Sequence, residues 1–167
     1  MELDRLHAFQ SGAPLLYVEC PRRLAEIQNG LFLAGGISGC PDWQAEMVEL
    51  LRETNYTLLN PRRKDFSVGD PAAAKAQILW EYEHLRKAEK ILFWFSPETL
   101  NPIVLYELGA WSMTEKPLFV GVHPEYQRRQ DVEIQTALAR PDVSIVYSLA
   151  ELAWQIKMYP TPSAAGG

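Results

Sequence analysis

The feature that most constrains the fold is a regular alternation of short apolar segments with longer, helix-like ones, beginning at Gly30. The apolar segments are short enough for strands, and their lack of polar alternation is typical of strands buried on both faces. The predicted strands cover residues 31–34, 57–60, 91–95, 117–122 and 143–147. Helices are predicted at residues 43–53, 71–90, 125–139 and 148–158, with one more starting at Pro102.

This alternation implies parallel βαβ units, because parallel strands need a crossover connection. The predicted fold is therefore an α/β domain, a three-layer α/β/α sandwich with a mainly parallel five-stranded sheet, covering residues 31–158. We expect residues 1–30 to form an N-terminal extension with a candidate extra strand at 15–18. Residues 159–167 are expected to be a disordered tail.

Composition excludes several classes of protein. The 167 residues carry a net charge of −5, which is a poor match for nucleic acid polymers. Cys20 and Cys40 are too few for a disulfide framework or a zinc site, so no metal or other cofactor is expected. We see no signal peptide and no apolar run long enough to span a bilayer, and we expect a cytoplasmic protein with no membrane partner.

Glu107 is the first candidate catalytic residue. It lies on the helix after residues 91–95, which Asn101 is predicted to cap and in which Pro102 takes the first position. Apolar residues stand three or four positions away on both sides, so the carboxylate is predicted to emerge from an apolar face. A carboxylate there costs free energy unless something pairs with it.

Glu81 repeats this arrangement on the preceding helix, within a stripe formed by Ile78, Leu85 and Ala88. Taken singly, either glutamate would more often pair with an arginine or accept from a backbone amide. Together they are expected to face inward beside the same strand. Two carboxylates at short separation are the residues that retaining glycosyl transfer needs, one as nucleophile and one in proton transfer.

Candidate substrate-binding residues lie in the loops after three of the predicted strands. In parallel sheets ligands bind at the carboxyl ends of the strands, near the point where strand order reverses. The loop residues predicted there are Gly35, Gly36, Ser38, Asn60, Arg62, Arg63, Ser96 and Asn101. The glycine pair either admits a ligand close to the backbone or forms a tight turn, and the two arginines either bind a phosphate or lie in a solvated loop.

Three aromatic residues are candidates for stacking on a flat ring such as a nucleobase: Trp43, Phe66 and Trp80. A core or rim position is the simpler interpretation for Trp43 and Trp80. No serine-hydrolase motif, metal-ligand cluster or Cys–His pattern competes with the two glutamates.

These segments together resemble the nucleoside 2-deoxyribosyltransferase-like proteins. The resemblance covers roughly residues 31–139 and is most specific in the Glu-x-Gly of the helix that begins at Pro102. The segments that carry it are Phe32-Leu33-Ala34-Gly35-Gly36, Asp42-Trp43-Gln44, Asn60-Pro61-Arg62-Arg63, Trp80-Glu81, Pro102-Ile103 and Tyr106-Glu107-Leu108-Gly109.

The resemblance implies a flavodoxin-like sheet and assigns roles to individual residues. The family's nucleophile, which takes up the deoxyribosyl group, falls on Glu107. Its proton-handling acid falls on Glu81, where better-known members have aspartate. A family aspartate that orients the sugar hydroxyls stands six residues before the nucleophile, and here that position is Asn101.

The expected function is therefore base exchange at the N-glycosidic bond of a (deoxy)nucleoside, without cofactor. Two alternatives stay open: hydrolysis of a nucleoside 5′-monophosphate, and a nucleotide-sensing module without turnover. The expected ligand is a small nucleoside or nucleotide. The resemblance also implies a homodimer or larger homo-oligomer, with residues 122–129 near a neighbour's site.

Overall fold

The computed structural model describes residues 14–63 and 69–160, which form five strands and five helices. The strands are β1 (Leu16–Glu19), β2 (Gly30–Gly35), β3 (Thr57–Asn60), β4 (Lys90–Phe95) and β5 (Leu118–Val122). The helices are α1 (Trp43–Leu51), α2 (Pro71–Lys87), α3 (Pro102–Ser112), α4 (Arg129–Ala139) and α5 (Leu149–Met158).

The strands form one parallel sheet in the order β1-β3-β2-β4-β5. Strand β4 is interior and lies between β2 and β5, as the sequence predicts. Every residue of β3, β4 and β5 is buried, because helices cover both faces of the sheet. The predicted α/β fold with five parallel strands is confirmed.

The prediction of a strand at residues 143–147 is wrong. This segment makes a single bridge, between Val146 and Gly121 at the outer edge of β5. The flanking peptide groups are used by α5, since the Ser144 carbonyl accepts from the side chain of Gln155 and the Tyr147 amide donates to Glu151. The ladder therefore cannot extend, and the fifth strand of the sheet is β1 at the opposite edge.

Two layers of helices bury the sheet. One hydrophobic cluster joins the sheet to α2, α3 and α4 through residues such as Trp80, Leu108 and Val132. The other joins it to α1 and α5 through residues such as Met47 and Ile156. No helix within the described residues is long and apolar enough to cross a membrane.

The helix ends agree with the sequence prediction at two positions and differ at two others. Asp42 caps α1 by accepting from the Ala45 amide at 3.1 Å, and Ser148 caps α5. Asn101 precedes α3 but does not cap it with its side chain, because its backbone is left-handed (φ 51°) and its side-chain oxygen accepts from the Thr99 hydroxyl. Helix α4 begins at Arg129 rather than near residue 125, since a turn occupies the preceding residues.

The strand order places a crevice at the carboxyl ends of β2 and β4. From β2 the chain crosses to β3 on one side, and from β3 it passes over β2 to reach β4 on the other. Helix α1 consequently covers one face of the sheet and α2 covers the opposite face. Such a switch point is the usual ligand-binding position in parallel sheets.

Candidate active site

A cavity of about 860 Å³ lies over this switch point and contains both glutamates. Its volume is within the range of about 300–1,000 Å³ that small-molecule sites occupy. The lining residues that carry the argument below are Phe32, Gly36, Ser38, Glu81, Tyr82, Arg86, Asn101, Ile103, Tyr106, Glu107 and Trp111. Most of this surface is apolar, so the two carboxylates are its main sources of charge.

Glu107 reaches the cavity because the buried side of α3 is fixed to the sheet. Val104 and Leu108 are buried on that side and flank Glu107 along the helix. Ile103, by contrast, is exposed and lines the cavity mouth. The apolar face from which Glu107 was predicted to emerge is therefore partly the wall of an open cavity and not wholly core.

Glu81 enters from α2, which is anchored by Trp80. The indole of Trp80 is fully buried and donates to the Arg22 carbonyl at 2.8 Å. Ile78, one turn before Glu81, is exposed at the cavity rim, and this corrects the prediction that it lies on an inner face. The neighbouring Gln77 is buried and donates to the Glu81 carboxylate at 2.7 Å.

The two carboxylates differ electrostatically. Burial and, second, the negative charge of Glu81 raise the pKa of Glu107 to about 8. Burial also raises the pKa of Glu81, whereas the hydrogen bond from Gln77 lowers it. Like charges in one low-dielectric cavity resist joint ionisation, so the pair is expected to hold one proton near neutral pH.

The predicted glycine loop, Gly35 and Gly36, packs tightly against Trp43 and Asn101. A Cβ at Gly35 would lie 2.3 Å from the Trp43 ring, and one at Gly36 would lie 2.5 Å from the Asn101 side-chain oxygen. Trp43 also donates to the Gly36 carbonyl at 3.0 Å. The glycines therefore allow close packing, and Gly35, Gly36 and Ser38 line the cavity.

Asn101 lies at the cavity wall with one polar atom unsatisfied. It is 8% exposed, and its amide nitrogen is buried without a hydrogen-bond partner among the described residues. The Thr99 hydroxyl donates to its oxygen, and the NH₂ group is the end without a partner. Ser96, at the end of β4, is also buried with an unpartnered hydroxyl within the same part of the chain.

Arg62 is a structural clamp on the loop after β2 and does not line this cavity. It donates to Gln44 at 2.9 Å and to the Pro41 carbonyl at 2.9 Å. It also donates to the Gly36 carbonyl at 3.3 Å and forms an ion pair with Asp42. These contacts use most of its donors in holding the glycine loop to α1.

Asn60 and Arg63 likewise lie away from the glutamates. With Arg62 they line a second cavity of about 480 Å³ on the β1 side of the sheet. The Asn60 amide donates to the Tyr17 hydroxyl at 2.8 Å, and its oxygen accepts from the Arg62 amide. The three strand-end loops thus meet only in part, because Pro61 is the one residue of 60–63 that reaches the larger cavity.

The aromatic wall predicted from Trp43 and Trp80 is made by other residues. Both tryptophans are buried in the core, one on each face of the sheet. Phe66 lies outside the described residues. The rings that line the cavity belong to Phe32, Tyr82, Tyr106 and Trp111. The last three are on α2 and α3, and the sequence analysis did not single them out as stacking residues.

Gln77 is a further residue of the site that the sequence interpretation missed. It stands four positions before Glu81 on the same helix, and this spacing places side chains on one face.

Within the described residues, no group of three or more His, Cys, Asp and Glu side chains is placed to hold a metal ion. The chemistry that these side chains offer is that of a paired acid and nucleophile.

Fold and cavity together define an α/β protein with a carboxylate pair at the switch point of a parallel sheet. A family model described as nucleoside 2-deoxyribosyltransferase like matches residues 28–126. The match covers more than half of the chain, and the protein therefore belongs to the nucleoside 2-deoxyribosyltransferase-like family. The resemblance seen in the sequence is confirmed.

A solved structure supports the fold. A conserved protein from Enterococcus faecalis V583 is similar with a TM-score of 0.57 and 18% sequence identity, over 80% of this chain and 98% of that chain. At this identity the likeness concerns the fold alone. No curated protein matches the sequence.

Replacing Glu107 with glutamine should stabilise the fold increasingly as the pH rises. The pKa of Glu107 is raised from 4.5 to about 8 in the folded chain, so that chain keeps a proton which the unfolded chain releases. The stability contributed by this group therefore falls between these two pH values and stays low above them. We expect the free energy of unfolding of Glu107→Gln to exceed that of wild type by roughly 1–3 kcal/mol at high pH and by little in acid. Urea unfolding over a range of pH values measures this difference.

Glu53→Gln is the matched control, because Glu53 is exposed and its change should leave the pH dependence unaltered. A stability difference between wild type and Glu107→Gln that does not vary with pH would contradict the raised pKa.

Proposed function

We propose that this protein cleaves the N-glycosidic bond of a (deoxy)nucleoside and transfers the sugar to another nucleobase. Glu107 is the nucleophile, and Glu81 handles the proton of the leaving base. The observation that carries the proposal is that both carboxylates line one largely apolar cavity. Membership of the nucleoside 2-deoxyribosyltransferase-like family supports the same reaction class.

The chemistry follows from the two groups. A carboxylate oxygen of Glu107 bonds to C1′ while the C1′–N bond breaks, and the electron pair of that bond stays with the base. The base takes a proton from Glu81 as it leaves. A nitrogen of a second base then attacks C1′ while the C1′–O bond to Glu107 breaks, which restores the Glu107 carboxylate. The incoming base gives its own proton to Glu81, and the configuration at C1′ is retained overall.

The cavity wall favours transfer to a base over transfer to water. The rings of Tyr82, Tyr106 and Trp111 offer apolar surface on which a nucleobase can stack at the mouth. A filled apolar mouth excludes water from the glycosyl-enzyme until a new base enters. On the sugar side, the unpartnered amide of Asn101 can donate to a sugar oxygen, which offsets the cost of its burial.

Hydrolysis of a nucleoside 5′-monophosphate is the second candidate. Its support is the start of α3, where Ile103 and Val104 line the cavity and first-turn N–H groups lack intrahelical partners. Against it, Arg62 and Arg63 line the second cavity and Arg62 is engaged with the glycine loop, so neither supplies the cation first expected for a phosphate. We therefore place transfer ahead.

Base release from labelled deoxynucleosides tests this function. Glu107→Gln should lose release by about 10³-fold or more, because a neutral amide cannot form the glycosyl ester. Glu81→Gln should slow release by roughly 10²–10⁴-fold for bases that need protonation and much less for good leaving groups. Glu53→Gln should match wild type, since Glu53 is exposed, follows the end of α1 and does not line the cavity.

The same assay with rising free base separates the candidates. Appearance of the new nucleoside supports transfer, whereas free deoxyribose or its phosphate without new nucleoside supports hydrolysis. If nucleosides or monophosphates raise the melting temperature but none is turned over, both enzyme activities are excluded and a nucleotide-sensing function is favoured. Full activity in Glu107→Gln would remove Glu107 as the nucleophile.

We also propose that a second copy of the chain covers the cavity mouth. Helix α3 is apolar on several sides, yet Ile103, Tyr106 and Met113 are 63%, 76% and 82% exposed in the single chain. They recur at helical spacing, and Ile103 and Tyr106 line the cavity together with Ile78 and Tyr82 of α2. Exposed apolar stripes of this kind mark association surfaces.

Analytical ultracentrifugation at micromolar concentration tests the assembly. We expect a dimer or larger oligomer in wild type, and dissociation in Tyr106→Glu, because a carboxylate at the centre of the stripe would be buried without a partner. The control is Gln28→Glu, which adds the same charge at an exposed position outside both the stripe and residues 122–129. A fully active wild-type monomer would overturn the proposal.

A further inference from the structure

The inference concerns Gln77, which ties the Glu81 carboxylate to a buried hydrogen-bond chain. Its amide nitrogen donates to Glu81 at 2.7 Å and to the Pro61 carbonyl at 2.7 Å. Its oxygen accepts from the Cys20 thiol at 3.1 Å. Both amide hydrogens and the oxygen of Gln77 are therefore engaged.

The orientation of this amide is fixed by its partners. The Pro61 carbonyl can only accept, so the NH₂ end of Gln77 must face Pro61, and the same end faces Glu81. Gln77 is 6% exposed and cannot exchange these contacts for water. Glu81 consequently receives a permanent donor, and a donor favours the ionised form of a carboxylate.

Glu107 has no comparable support. Within residues 14–63 and 69–160, no side chain or backbone group donates a hydrogen bond to its carboxylate. Arg86 is the one cation among the described residues that line the cavity, and it donates to the Tyr82 carbonyl at 3.1 Å while lying over the Tyr82 ring.

The remaining titratable groups around the pair do not change this asymmetry. Tyr82 and Tyr106 line the cavity from α2 and α3. Behind Glu81, the Cys20 thiol lies in the chain through Gln77, with Arg63 beside it. Of the two glutamates, Glu81 is therefore the one with a hydrogen-bond donor among the described residues.

We propose that Gln77 is a positioning residue that decides where the one proton of the pair rests. In the empty site Glu107 holds the proton and Glu81 is ionised. When substrate binds, the proton passes to Glu81, and from there it goes to the leaving base. This inference rests on the glycosyl transfer proposed above and specifies its first step.

The proton balance of this step is complete without a further reactant. Protonated Glu107 and ionised Glu81 exchange one proton, which leaves Glu107 as a carboxylate and Glu81 as an acid. The Glu107 oxygen then bonds to C1′, the C1′–N electron pair goes to the base, and the base takes the proton from Glu81. The positive charge that develops at C1′ favours the ionised form of Glu107, which explains why the exchange follows binding.

The electrostatics of the empty site agree with this assignment. Burial and the charge of Glu81 raise the pKa of Glu107 to about 8, so the acid form dominates at neutral pH. The Gln77 hydrogen bond opposes the effect of burial on the pKa of Glu81.

The test is a pH titration of glutamate carboxyl carbons by NMR in the unliganded full chain, labelled with ¹³C at Cδ. We expect one glutamate to titrate near pH 8, and its resonance should be absent in Glu107→Gln. In Glu81→Gln that resonance should remain and titrate lower by about one pH unit or more, because the neighbouring charge is gone.

The role of Gln77 is tested in Gln77→Met, which keeps the side-chain length and removes the donor. The carboxyl resonance of Glu81 should then show part of the chemical-shift change at high pH, and the resonance of Glu107 should show correspondingly less of it. Gln28→Met, at an exposed position away from the cavity, is the matched control and should titrate as wild type does. Circular dichroism reports folding, and if Gln77→Met does not fold, Gln77→Asn tests the same point by withdrawing the amide from Glu81.

Two results would overturn the proposal: loss of the high-pH titration in Glu81→Gln instead of Glu107→Gln, or an unchanged titration in a folded Gln77 variant. The titration needs no substrate. Its result is therefore independent of the turnover assay. If the titration confirms the position of the proton, an absence of glycosyl transfer would count against the proposed function and not against the proton position.

Discussion

The rest of the site depends on the parallel pairing of β2 with β4. Because the chain leaves β2 for β3 on one side and returns to β4 on the other, α1 and α2 are forced onto opposite faces. A crevice opens between them at the carboxyl ends of the strands. Helices α2 and α3 share one face, so the glutamates that they carry reach the same cavity.

Much of the fold was predictable because strands β2 to β5 are almost entirely buried and contain mainly apolar residues. The segment 143–147 has the same composition, but its neighbouring peptide groups are used by Gln155 and Glu151, and a sequence pattern does not reveal such competition. The convergence of Glu81 and Glu107 followed from helix periodicity. The clamp role of Arg62 did not, because it depends on how the glycine loop turns back on α1.

The two carboxylates in the cavity lower the stability of the fold, and the proposed glycosyl transfer needs both of them. Two carboxylates in an apolar site repel each other, and one bound proton relieves most of that repulsion. The single donor from Gln77 then determines which carboxylate remains charged. An arginine beside Glu107 would remove the repulsion, but it would also hold the carboxylate in an ion pair and weaken it as a nucleophile. Among the described residues, Glu107 has no hydrogen-bond donor or cation that stabilises its charge, and this is consistent with a catalytic role. Catalytic sites often lower the stability of a fold in this way.

The central claim is that Glu107 bonds to the sugar. The most direct test is intact-protein mass spectrometry after incubation with a deoxynucleoside analogue bearing fluorine at C2′, which slows breakdown of the glycosyl-enzyme because fluorine destabilises positive charge at C1′. We expect a mass increase equal to one fluorinated pentosyl group, carried by the peptide that contains Glu107 and absent in Glu107→Gln. Release of base from wild type with no adduct at any time, or an adduct on another residue, would contradict it.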